Sequence, residues 1–345
     1  MRTSFCDDRG WVSFDTYQNR ATDDVGQTEP APLHVAVEWA PAYELLLSVQ
    51  SFVHVKRHTL FELGPLWVRS IHEQLPAESA AQFARKSVVH QLKDAGDVLL
   101  QLVHGCPERS DVAGFLSWFG ELTAGAAYEV LAPIVREPGP HLPRDFNAWR
   151  NAILDLLGVW NGAYFRHLDP AILHGLDDQA SLLRARIPKS EPGELIESAT
   201  NGLMVETSPE LHKVILVPQY HNRPYNTDVG IQDGLIILYP CDAAVAQPED
   251  APPARLMRLT HALSDESRLR MLRFLARAPS SSLTDVARFA GLSQPTVHHH
   301  LTQLRAAGLV RVHFGASGPN RYSLRPHALE QLAEQLGAYL EVAEP

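Results

Sequence analysis

Residues 282–314 read SLTDVARFAGLSQPTVHHHLTQLRAAGLVRVHF. Ser282, with Asp285 three positions on, has the capping-box pattern of a helix start, and Leu283, Val286, Ala287 and Ala290 follow at helical spacing. Gly291 stops that helix, because glycine tolerates the left-handed backbone of a helix end, and Leu292 can fold back on the apolar face. Ser293 is placed as the N-cap of a second helix, with Pro295 in the first turn, where a missing N–H costs nothing. Val297, Leu301 and Leu304 form its buried stripe. From Leu309 to Phe314 apolar and polar residues alternate with period two, a bend with two glycines and a proline follows, and Arg321-Tyr322-Ser323-Leu324 closes a hairpin. The spacing predicts two short helices, a tight turn and a wing: a winged helix-turn-helix.

The other face of the second helix carries Gln294, Thr296, His298, His299, Thr302 and Arg305. A recognition helix docks by its N-terminal residues, which assigns Gln294, Thr296 and His298 to base edges and Pro295 to a thymine methyl, while Ser293 marks the end whose dipole favours phosphate. Arg311, His313 and Arg321 on the wing are expected to meet backbone or minor groove. Helix-turn-helix pairs also occur in proteins that never meet nucleic acid, so charge is the second criterion. Between Arg255 and Arg325 there are eleven arginines against Asp265, Glu266 and Asp285, an excess of eight positive charges in a chain of formal net charge −10. A positive island on an acidic chain suits a phosphate backbone. The expected partner is double-stranded DNA.

Residues 254–324 resemble the ArsR-type winged helix-turn-helix. The resemblance rests on the apolar run 259–263, on Ser264-Asp265-Glu266-Ser267-Arg268-Leu269-Arg270-Met271-Leu272, on the second helix from Leu292 to Leu301, and on Leu304-Arg305-Ala306-Ala307-Gly308-Leu309-Val310. It implies a homodimeric bacterial transcription factor, usually a repressor, that leaves an inverted-repeat operator when an effector binds. It also implies a dimer interface built by helices on either side of the reader, here Leu256 to Leu263 and Leu329 to Val342. Metal-sensing members place cysteines near the first helix of the motif, and Leu283 to Ala290 has none. Along the last helix only His327, Glu330 and Glu334 are offered, without a paired Asp-X-His. No metal and no cofactor are therefore expected. His298, His299 and His300 are adjacent on a helix, point in different directions and cannot share one ion.

A chain of 345 residues, 45% apolar and 20% charged, has room for two or three globular domains. No apolar run approaches membrane-span length, the N-terminus lacks the pattern of a secretion signal, and Cys6, Cys106 and Cys241 fall in no paired spacing, so a reduced, cytoplasmic protein is expected. Residues 1–30 read as a mobile extension, 31–246 as one N-terminal domain, 247–253, with three prolines, as a linker, and 254–345 as the DNA reader. In outline the arrangement resembles bacterial regulators that carry a long N-terminal domain ahead of an ArsR-type domain.

The fold class expected is mainly α with small β elements. Helical spacing appears at 43–55, 66–74, 80–93, 98–103, 112–131, 146–166 and 180–186. Strands are expected at 33–39, 213–218 and 234–239, the last two pairing as a hairpin across an aromatic, polar connection containing Tyr220, His221 and Tyr225. Such a loop either carries function or packs over the hairpin's end. Trp118, Trp149, Trp160 and Tyr164 are either core or, with those loop residues, the lining of a small-molecule site. His54 and His58, four apart on one helical face, pose a metal-or-surface choice. No phosphate loop, nucleophile elbow or metalloprotease motif is present, so no enzyme is expected. Three roles stay open for the N-terminal domain: sensing a non-metal effector, serving as a structural or protein-interaction platform, or catalysis.

Overall fold

The computed structural model describes residues 32–136, 139, 141–242, 251–315, 319–326 and 328–341. The expected extension at 1–30, most of the Pro-rich linker and the wing bend at 316–318 lie outside the described residues. The fold is mainly helical with small β elements, as the sequence predicts, and among the described residues the strands form two four-stranded sheets.

In chain order the elements are β1 (His34–Val37), α1 (Pro41–Val53), α2 (Gly64–Gln74), α3 (Ala77–Phe83), α4 (Lys86–Asp94), α5 (Gly96–Gly105), α6 (Val112–Glu121), α7 (Ala124–Leu131), α8 (Phe146–Ala163), α9 (Pro170–Arg186), α10 (Pro192–Thr200) and β2 (Leu203–Glu206). Then come β3 (Lys213–Gln219), β4 (Thr227–Ile231), β5 (Gly234–Pro240), α11 (Ala254–Leu263), α12 (Glu266–Leu275), β6 (Ser281–Ser282), α13 (Leu283–Ala290), α14 (Gln294–Ala306), β7 (Val310–Gly315), β8 (Arg321–Leu324) and α15 (Ala328–Glu341). Among the described residues the chain divides into two compact units: 36–184 with 213–242, and 185–212 with 251–341.

In the first unit α1 is buried from Ala42 to Val53, so it is a core helix and its polar Glu44, Ser48, Gln50 and Ser51 need internal partners. Two expected helices are broken. Thr123 ends the 112–131 run as one helix because its hydroxyl accepts from Ala126 N (3.2 Å) and starts α7; the 80–93 run splits between Phe83 and Lys86.

The expected hairpin of 213–218 with 234–239 is corrected. β3 and β5 pair in parallel, and β4, a strand the sequence reading missed, pairs antiparallel to β5, giving the order β1-β3-β5-β4. The 220–226 connection folds back on itself and β4 returns beyond β5. β5 is then covered on both faces, the environment that a continuous apolar run selects. At its start a Cβ on Gly234 would stand 1.7 Å from the Lys213 carbonyl oxygen, so this close pairing admits glycine alone.

The domain boundary is also corrected. Residues 185–212 do not belong with the N-terminal unit: β2 joins the wing sheet in parallel to β7, Leu203 opposite Val312 through Glu206 opposite Gly315, in the order β2-β7-β8-β6. β7 would otherwise expose an unpaired edge. Val312 N–H donates to the Gly202 carbonyl (2.8 Å), and a Cβ on Gly202 (φ +115°) would come within 2.5 Å of the Val310 oxygen.

Candidate functional site

The reader is assembled from local signals. Asp265 accepts from Arg268 N (2.9 Å) to start α12. The capping box of α13 is closed by Asp285 N–H to Ser282 Oγ (3.2 Å) and Ser282 N–H to the Asp285 carboxylate (3.1 Å). The Ser282 hydroxyl (2.6 Å) and then the Ser282 N–H donate to the Asp285 carboxylate and, aided by Arg288, hold it below its usual pKa. Gly291 ends α13 at φ +69°. Thr296 N–H donates to Ser293 Oγ (3.4 Å) at the start of α14, and Val297, Leu301 and Leu304 are buried beneath it.

The first turn of α14 is open. Ser293, Gln294, Pro295 and Thr296 are exposed, as is His299, while His298 and Thr302 are half-buried. Gln294 Nε2 donates to Thr284 Oγ1 (3.2 Å), which ties the two helices across the turn. Arg321, exposed on β8, donates to the Ser280 carbonyl (2.9 Å). His313 is half-buried against Ser323 Oγ (2.8 Å), and burial lowers its pKa.

The groove-facing placement of Arg305 is corrected. Its side chain is 2% exposed and donates to the Thr200 carbonyl (3.2 Å), because α10 covers the C-terminal end of α14. Arg311, expected on phosphate, instead makes a two-toothed ion pair with Glu197 (Nε–Oε1 2.7 Å, Nη2–Oε2 2.8 Å), and Arg325 joins the same carboxylate (3.1 Å). Arg268, which the sequence reading did not single out, is buried and donates to the carbonyls of Ala262 and His261 (both 2.7 Å) and to Gln303 Oε1 (2.5 Å). It seats the recognition helix on α11.

Four of the eleven arginines thus bind the fold together. The segment 185–212 adds Glu191, Glu194, Glu197, Glu206 and Glu210 against Arg186 and Lys189, so the positive excess of this unit is smaller than the C-terminal sequence alone indicates. Arg270, Arg273, Arg277, Arg288 and Arg321 are exposed.

The seven aromatic residues considered for a ligand do not form one set. Trp160 is fully buried, with its indole N–H on Ser48 Oγ (2.8 Å). Trp149 packs between Phe119 and Phe146, and Trp118 lies against Phe115. Trp160 and Trp149 are core, and Trp118, half-buried, packs against it. Tyr225 is 9% exposed, edge-on to Phe61.

Tyr164, Tyr220 and His221 do gather, around a residue that the sequence reading did not notice. Glu44 on α1 is fully buried and accepts from the backbone N–H groups of Tyr220 (3.1 Å) and His221 (3.0 Å) and from His221 Nδ1. These partners assign Nδ1–H to the carboxylate and leave Nε2 to accept the Tyr164 hydroxyl (2.8 Å), whose oxygen in turn accepts from Trp67 Nε1 (3.0 Å). Burial pushes the Tyr164 pKa up, against the Trp67 hydrogen bond, with Tyr220 and Glu44 adding to the rise, so the hydroxyl keeps its proton. Ser51 meets Asn222, whose amide donates to Thr227 (3.0 Å). Arg223 stacks over the Tyr220 ring at 4.4 Å. A lone glutamate in a leucine-rich helix was the available signal, since a carboxylate is almost never buried without partners.

His54 and His58 face backbone rather than each other. His54 Nδ1 meets the Gln50 carbonyl (2.7 Å), and His58 Nε2 the Phe52 carbonyl (2.8 Å). Burial lowers the His54 pKa to about 4, the Gln50 bond opposing and Arg57 and Lys93 reinforcing the shift. Among the described residues no three His, Cys, Asp or Glu side chains are grouped to hold a metal, and no helix is long and apolar enough to cross a membrane.

A family model described as a helix-turn-helix domain matches residues 263–313. No curated protein and no solved structure matches the chain. The matched stretch runs from the end of α11 into β7, the part whose geometry is described above, and is a helix-turn-helix of the kind DNA-binding transcription regulators carry.

Proposed function

We propose that the chain is a sequence-specific transcription regulator of the ArsR type that binds an inverted-repeat operator as a homodimer and represses the genes beside it. The observation that carries this reading is the first turn of α14: four exposed residues on a helix end, held by Arg268 and the α13 capping box, in a unit that also exposes Arg321 on β8. Gln294 supplies the amide that pairs with adenine, and Arg321 a charge for phosphate. Pairing of two chains is supported by exposed apolar side chains on α11 (Met257) and α15 (Leu336 and Leu340).

For the N-terminal unit we favour sensing of a non-metal small molecule at the Trp67–Tyr164 end of the Glu44 chain, where both aromatic residues are half-buried and thus partly open to solvent. The platform reading has its own support, since the chain from Trp67 to Glu44 closes on internal partners. Neither assigns the unit a reaction.

The test is selection of duplexes from a random pool by the full-length protein, followed by competition with unselected duplex. An inverted repeat bound at least 10³-fold tighter than random DNA is expected; equal affinity for the two rejects the reading. Thermal-shift screening of metabolites decides between sensor and platform. A ligand that raises the melting temperature and changes operator affinity supports the first, and one that Tyr164→Phe leaves unaffected would place sensing elsewhere.

A further inference from the structure

The α10–β2 segment precedes the recognised motif by some fifty residues, yet it is tied to three parts of the reader. Glu197 bridges Arg311 on β7 and Arg325 just beyond β8. Thr200 receives the guanidinium of Arg305 from the last turn of α14. Gly202 and β2 take the edge of β7 from Val312 to its last residue, Gly315. Arg311 and Arg325 stand at the base of the wing, where Val310 pairs with Leu324, while His313 pairs with Arg321 at its far end.

On its β8 side the wing hairpin is paired with β6, Ser281 opposite Tyr322 and Ser282 opposite Arg321, so further restraint can act only on its β7 edge and its base. A carboxylate shared by guanidinium groups from β7 and from the residue after β8, on a helix that also binds the last turn of α14, supplies that restraint. Glu197 side chains are 10% exposed and those of Arg311 and Arg325 are 28% and 10% exposed, so the pairs are shielded from the screening that weakens surface bridges.

We infer that Glu197 is a positioning residue for DNA binding: through Arg311 and Arg325 it holds the wing in register with the recognition helix, so that wing and helix engage one site together. The inference rests on the DNA-binding reading and adds a requirement that the matched motif does not contain. Because the segment enters this unit directly from α9 of the N-terminal unit, the clip is also one of the covalent routes between the two.

The experiment uses the full-length protein, a duplex selected by the wild type, and random duplex. Glu197→Gln keeps the side-chain shape and removes the shared charge. Its affinity for the selected duplex is expected to fall at least tenfold while random-duplex affinity holds or rises, and the slope of log affinity against log salt on the selected duplex should shrink by about one contact's worth, roughly 0.9. Adding Arg311→Gln and Arg325→Gln to Glu197→Gln should cost little more, since the partners act as one unit. Faster amide exchange at Val312 in Glu197→Gln, with the amides of α13 unchanged, reports wing release in a folded domain, and Glu197→Asp should restore part of the selectivity. An equal fall on both duplexes, an unchanged ratio, or a rise on the selected duplex overturns the inference; the last would make the clip an inhibitor. A wild type without any duplex preference removes the DNA-binding reading itself and this inference with it.

Discussion

Glu44 and the first turn of α14 are both polar features on helices, and their surroundings are opposite. Around Glu44, two backbone N–H groups and an imidazole converge on a carboxylate fully shielded from water. On α14, Ser293 to Thr296 stand in solvent, with Gln294 tied to Thr284 and Ser293 to Thr296. A buried charge is stabilising only while its partners remain, so the first arrangement fixes the path of the chain from β3 to β4. Exposed donors on a rigid support keep their capacity for an outside acceptor, which suits the second to recognition. The same contrast recurs within α14, whose last turn is closed: Arg305 there is as buried as the core.

The sharpest way to break this comparison is Glu44→Ala. It leaves two loop amides and His221 without their acceptor and should lower stability of the N-terminal unit by about 3–5 kcal/mol in denaturant unfolding. A loss below about 1 kcal/mol would show that the loop holds itself.

Next in size is the pH response. His54 has its folded pKa depressed from 6.5 to about 4, so the unfolded chain binds the extra proton between those values. Its contribution is present above about pH 6.5 and is lost as pH falls toward 4, on the order of 2–3 kcal/mol. Urea midpoints of the wild type should drop over that window more than those of His54→Gln; parallel curves would reject the assignment.

Arg305→Ala separates the two ends of α14. It should cost roughly 1.5–3 kcal/mol of stability in the C-terminal unit by removing a charged donor from the Thr200 carbonyl, with no change in the salt slope of DNA binding. A smaller slope would return Arg305 to the phosphate backbone. Gln294→Ala should do the reverse: stability unchanged within about 0.5 kcal/mol, and discrimination at one or two operator positions reduced by about 1–2 kcal/mol. Uniform weakening on every sequence would contradict a base contact.

Local signals were legible because their physics is local. Ser282 with Asp285, Gly291, and Ser293 with Pro295 fix caps and turns within three or four residues, and the period of Val297, Leu301 and Leu304 fixes the buried side of α14. Arg305 resembled a groove-facing residue and Arg311 a backbone or minor-groove ligand because sequence reports charge and local face but not which distant segment covers that face. The covering segment lies over a hundred residues away, with β3–β5 of the other unit between. The aromatic residues were ambiguous for the same reason: Trp160 and Tyr164 are four apart on α8, yet one is sealed in the core and the other meets His221.

By itself, then, the sequence determined a mainly helical chain ending in a winged helix-turn-helix, since caps, turns and apolar periodicity act over a few residues. Only the tertiary structure decided that β5 pairs in parallel with β3, that α10 and β2 belong to the reader, and that Glu44 and Glu197 each gather partners inside their own unit. Pairing partners of strands and of buried charges are chosen by long-range packing, where burial makes an unpaired group costly and so selects the one arrangement that satisfies it.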